Sequence, residues 1–126
     1  MYPSGIWKGF WQQEGWGQQP MEEFELYFSN GIVTGQGVDM VGRFTFDGEY
    51  DQQTGLLNLV KKYVGRHTVN YVGQPNGEGA IVGRWSIVMV LGEHRWESSG
   101  PFLLQPELPK PTEHDPVYEI RPRGRG

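Results

Sequence analysis

His67–Ile87 reads HTVNYVGQ, then PNGEG, then AIVGRWSI. Both arms alternate, which marks a strand with one buried face. His67, Val69 and Tyr71 share a face in the first arm; Ile81, Gly83, Trp85 and Ile87 share one in the second. Between them Asn76-Gly77 can take positive φ, so the arms fold back as an antiparallel hairpin. One face of this hairpin carries a His, a Tyr and a Trp among aliphatics. Such a face is either plain barrel core or the wall of a small-molecule pocket.

The same alternation extends in both directions. Gly5–Gln13 predicts a first strand with Trp7 and Trp11 inward. Gly15–Pro20 predicts a loop from its Gly and Pro content. Glu23–Ser29 sets Phe24, Leu26 and Phe28 against Glu23, Glu25 and Tyr27, and Asn30-Gly31 supplies a strong hairpin signal. Gly31–Val41 is a Gly-rich strand, whose Gly35 and Gly37 imply a bulge, a bend or a close approach. Gly42–Asp51 turns Phe44, Phe46, Gly48 and Tyr50 inward. Leu56–Val64 is a strand partly apolar on both faces. A strand from Ala80 continues through Leu91, and Arg95–Leu104 forms the last, broken at Ser98, Ser99, Gly100 and Pro101. About eight strands on short turns predict an all-β chain, a single antiparallel up-and-down β-barrel. Phe24, Leu26, Phe28, Phe44, Phe46, Tyr71, Ile81 and Trp85 are its expected interior.

Residues 1–108 are expected to form the barrel domain and 109–126 a Pro- and Arg-rich tail or strap. The tail's expected apolar anchors reduce to Val117, Tyr118 and Ile120. Lys110, Arg121, Arg123 and Arg125 oppose Glu113, Asp115 and Glu119 there, a net of +1, which leaves −5 on the body of a chain whose net charge is −4. An acidic body argues against a nucleic-acid partner, and no apolar run is long enough to suggest a membrane partner. With no Cys, no disulfide framework or thiolate metal site is expected. The opening MYPSGIWKGF lacks a basic stretch followed by an apolar one, so a cytoplasmic location is expected.

The order of motifs from Gly5 to Ile87 resembles the avidin and streptavidin family of calycin-type barrels. GIW at 5–7 resembles that family's Gly-x-Trp opening. GIVTG at 31–35 is similar to the strand before its Gly-rich loop, and GRFTFDGEYD at 42–51 to its aromatic strand. HTVNYVGQ and AIVGRWSI resemble the paired strands that carry pocket aromatics, with Tyr71 and Trp85 at those places. The resemblance implies the barrel fold and argues against biotin. Gly9 stands where the family has an Asn, Gly37 where it has a Tyr, Gln13 where it has a Ser, and His67 and Val69 where it has a hydroxyl pair. A pocket stripped of its donors loses a ligand that needs them. GIWKGFW also resembles the opening of nitrobindin-type haem barrels, which hold iron through a His; neither His94 nor His114 maps onto that ligand.

The reading that follows is a non-enzymatic barrel for a small, partly apolar ligand, with no cofactor and with a homo-oligomer open. Trp7, Gln13, Asp39, His67, Tyr71 and Trp85 are the candidate pocket residues. The alternatives are a filled barrel serving as a structural or protein-interaction module, and a haem barrel. No nucleophile–base pair, metal set or phosphate loop appears that would point to an enzyme. The glycines at 9, 37, 48 and 83 decide between an open and a filled interior, according to whether rings cross to fill the space they leave or line its walls.

Overall fold

The computed structural model describes residues 2–13, 17–39, 41–65 and 67–107, with Glu22 described by its backbone alone. Eight strands follow one another: β1 (Gly5–Gln13), β2 (Gly17–Ser29), β3 (Ile32–Val38), β4 (Arg43–Tyr50), β5 (Leu57–Tyr63), β6 (Thr68–Pro75), β7 (Ile81–Leu91) and β8 (His94–Pro106). Each pairs antiparallel with the next, and β8 pairs with β1, so the sheet closes into a barrel. Closure leaves no continuous open edge, the property that lets a sheet of this size stand alone.

Alternation places the core as expected. Phe24, Leu26, Phe44, Phe46, Tyr71, Ile81 and Trp85 are buried, and Phe28 packs half-buried against them. The outward residues of β5's flanks, Leu56 and Val64, are exposed. Gly37 shows why its strand is Gly-rich. It pairs with Phe24 on one side and Phe44 on the other, and a Cβ there would stand 2.7 Å from the Cβ of Phe24. The neighbouring rings occupy the space that a side chain would need.

Two segments differ from the sequence-based expectation. Gly17–Pro20 is strand rather than loop, with Pro20 paired to Phe10. Among the described residues the β2–β3 ladder begins at Phe24, so Pro20 lies beyond it, paired with β1, and a missing N–H is tolerated on such an edge. Likewise β8 runs unbroken through Ser98–Pro101. Pro101 pairs with Arg84 of β7 and lies just past Phe102, the last β8 residue in the β1–β8 ladder. The expected tail anchors Val117, Tyr118 and Ile120 lie outside the described residues.

The two barrel ends are built differently. At one end Tyr2, Trp7, Phe28 and Tyr50 form an aromatic plug with ring centroids 5.1–6.2 Å apart. The N-terminal segment is fastened over it: the Tyr2 hydroxyl donates to the Gly55 carbonyl at 2.6 Å, and the Trp7 indole N–H to the Pro3 carbonyl at 2.9 Å. At the other end β7 and β8 outrun their neighbours. β6 pairs with β7 no further than Ser86, whereas β7 and β8 stay paired to Leu91 and His94. The result is a two-stranded ribbon beyond the rim, with Met89, Leu91 and Trp96 exposed and the His94 ring stacked on Trp96.

Candidate functional site

The open end holds a cavity of about 330 Å³. Trp11, Tyr71, Trp85, Met21, Val69 and Ile87 give it apolar walls; Gln13, Gln19, Asp39, Lys61, Tyr63 and His67 supply polar atoms. A volume of this order fits the small end of ordinary ligand pockets, on the order of 300–1,000 Å³. The barrel is thus filled at the plugged end and open at the other.

Trp85 fixes one wall. Its indole packs edge-on against Trp11 with centroids 5.7 Å apart, and its N–H donates to the Gln12 carbonyl at 3.0 Å. Trp85 lies on β7 and Gln12 on β1, so the bond spans β8 where Gly100 pairs with Trp85. A Cβ on Gly100 would sit 2.9 Å from the indole nitrogen; glycine is what lets the ring cross. Nearby, Gln13 Nε2 donates to Ser98 Oγ at 3.0 Å. These two bonds stitch β1 to the β7–β8 pair beyond the last β1–β8 ladder pair, Trp11 with Phe102.

The opposite side is polar and ordered around Asp39. One carboxylate oxygen, Oδ1, accepts the Val41 N–H at 2.8 Å and the Gly42 N–H at 3.3 Å, which fixes the β3–β4 turn. The other, Oδ2, accepts from Lys61 Nζ at 3.0 Å and from the Tyr63 hydroxyl at 2.6 Å. Lys61 is 4% exposed, the one buried charged side chain among the described residues. Its ammonium also lies over the rings of Phe44, at 4.2 Å, and Tyr63, at 4.8 Å, a favourable placement for a desolvated cation.

Burial alone would raise the Asp39 carboxyl. The Tyr63 hydroxyl, the Lys61 charge and the Val41 N–H outweigh it and hold the group below its ordinary value. Burial pulls the Lys61 amine down, and the attraction of Asp39 offsets this only in part. Tyr63 is pushed well up, first by burial and then by its bond to Asp39. Tyr71 is also pushed up, by burial and by the Asp39 charge. The site is therefore a neutral phenol pair beside one ion pair.

Five of the six residues singled out in the sequence, Gln13, Asp39, His67, Tyr71 and Trp85, meet at this cavity. Trp7 does not: it is fully buried in the aromatic plug at the far end. Trp7 and Trp11 share a face of β1, but the three strand residues between them set them apart by much of the barrel's length. Lys61, Tyr63 and Trp11 belong to the site and were not among the six. Lys61 was nevertheless legible, since the alternation Leu57, Leu59, Lys61, Tyr63 puts it inward. His67 stands with its ring 5.1 Å from that of Tyr63. Among the described residues no group of three His, Asp or Glu side chains could hold a metal ion; His94 lies on the ribbon, and His114 lies outside the described residues. A wider depression of about 600 Å³ on the outer face, around Glu25, Gln36 and Arg43, contains none of the six.

No protein-family model, curated protein or solved structure matches this chain.

Proposed function

We propose that the protein is a non-enzymatic, calycin-like barrel that binds one small, flat, partly apolar molecule at its open end. The observation that carries this reading is the 330 Å³ cavity between the Trp11–Trp85 wall and the Asp39–Lys61–Tyr63 cluster. Crossed indoles offer π-faces to a flat ligand, and a few fixed polar groups opposite them would set its orientation. The cavity's charges are already paired with one another, which favours an uncharged ligand.

Biotin is not that ligand in this reading. A side chain at Gly9 would run into Leu104 and the Leu103 carbonyl, and one at Gly37 into Phe24 and Phe44. The two positions that in the avidin family carry polar contacts are thus filled by neighbouring residues. Titration calorimetry should give no sub-micromolar biotin constant. A planar probe such as naphthylmethanol should quench tryptophan emission saturably, and Trp85→Ala should abolish saturation with the barrel's circular dichroism retained. Saturable quenching that survives in Trp85→Ala would move the site elsewhere and sink the proposal.

A further inference from the structure

We propose that Lys61 forms a reversible imine with a flat, uncharged aldehyde bound in the cavity. This rests on the ligand-binding reading above and names its ligand class. Three observations converge. The Lys61 side chain is only 5% exposed and lines the cavity. Its nitrogen makes one conventional hydrogen bond, to Asp39 Oδ2, out of three donors that an ammonium carries. Asp39 in turn is held by the Val41 and Gly42 N–H groups and by Tyr63, so its position does not depend on Lys61.

The charge balance selects the chemistry. Binding a free anion would leave one negative charge in excess beside Asp39, and acylating the amine would leave Asp39 without a cation. An aldehyde does neither. The Lys61 ammonium gives up one proton, its lone pair attacks the carbonyl carbon, and the C=O π pair moves to oxygen, which takes up that proton. A second proton passes from the nitrogen to the hydroxyl, which leaves as water while the freed nitrogen lone pair forms the C=N bond of a protonated imine. Amine, aldehyde and one proton give iminium and water, so the cation opposite Asp39 is preserved. Burial favours the first step by destabilising the ammonium, in keeping with the lowered Lys61 value. Trp11, Tyr71 and Trp85 would hold the conjugated part of the aldehyde against their rings.

The test uses the full chain with naphthaldehyde and cyanoborohydride, which reduces an iminium to a stable secondary amine. Naphthylmethanol is the non-reacting control. Peptide mapping by mass spectrometry compares Lys61 with Lys8, Lys62 and Lys110 in the same tube, so no variant has to fold. The expected result is labelling of Lys61 several-fold faster than of the other three. Naphthylmethanol should slow Lys61 alone. If both compounds quench tryptophan emission saturably but label is spread evenly over the four lysines, the imine is refuted and the cavity reading stands. If neither compound quenches, both readings fall.

Discussion

Replacing Asp39 by Asn would remove the charge that faces the buried Lys61 ammonium while nearly conserving shape. The buried partner, Lys61, would keep its 4% exposure and lose its anion. Removing one member of a buried pair costs about 3–5 kcal/mol, because the remaining charge is stranded. Two features place Asp39→Asn at the lower end. Asp39 is itself 18% exposed, so water reaches the site and screens it, and an Asn oxygen still accepts from Val41 or from Tyr63. The expected loss is therefore about 3 kcal/mol, read as a fall in the urea midpoint at constant slope. Adding Lys61→Met should restore most of it, since an apolar replacement of a buried pair is often neutral or better. A loss under about 1 kcal/mol in the single variant, or no recovery in the double, would mean that Lys61 is not desolvated as described.

Other consequences follow from the same geometry. Gly100→Ala puts a Cβ against the Trp85 indole and the Gln12 carbonyl; it should cost about 2 kcal/mol and shift tryptophan emission, and an unchanged spectrum would argue against the crossing. Trp7→Ala should cost about 3–5 kcal/mol in chemical denaturation yet leave probe affinity of the folded protein unaltered, because Trp7 belongs to the plug. Alkali should unfold the protein in step with tyrosine ionisation. In the unfolded chain Tyr63 and Tyr71 titrate at their ordinary 10.0, below their raised folded values, so stability present below pH 10.0 is lost as pH rises past it. Lys61 works the other way, but only up to its ordinary 10.5; a smooth, non-cooperative phenolate titration would contradict this. Leu91→Lys, at a position 71% exposed on the ribbon, should change stability by no more than about 0.5 kcal/mol in the same denaturation assay.

The barrel was readable because period-two alternation survives in nearly every strand, and Phe24, Leu26, Phe44 and Phe46 show it without interruption. What failed were the prolines. Pro20 and Pro101 look like breaks until the neighbouring strands are known, and only the stagger of β3 and β1 shows that each lies beyond the end of one of its strand's two ladders. Much of the cavity was legible for the same reason as the core, since Tyr71, Trp85 and His67 fall on one face of a hairpin. Alternation says which face a residue takes and not how far along the barrel axis it lies. Hence Trp7 was grouped with residues at the opposite end. The Asp39–Lys61 pair joins residues from different hairpins, and no local pattern encodes that meeting.

The closing seam has a consequence for how the chain folds. Seven of the eight ladders join consecutive strands, but the eighth links Trp7 to Pro106 across almost the whole described chain. Loop closure over about 100 residues costs about 2 kcal/mol more in entropy than over about 10. Hairpins can therefore zip early, while the β1–β8 ladder must wait for the others to bring its strands together. The bonds from Trp85 to Gln12 and from Gln13 to Ser98 lie on that same seam. The cavity wall is completed only when the sheet closes on itself, so a molecule held between Trp11 and Trp85 would act as a clasp on the last step of folding and slow the first step of its reversal.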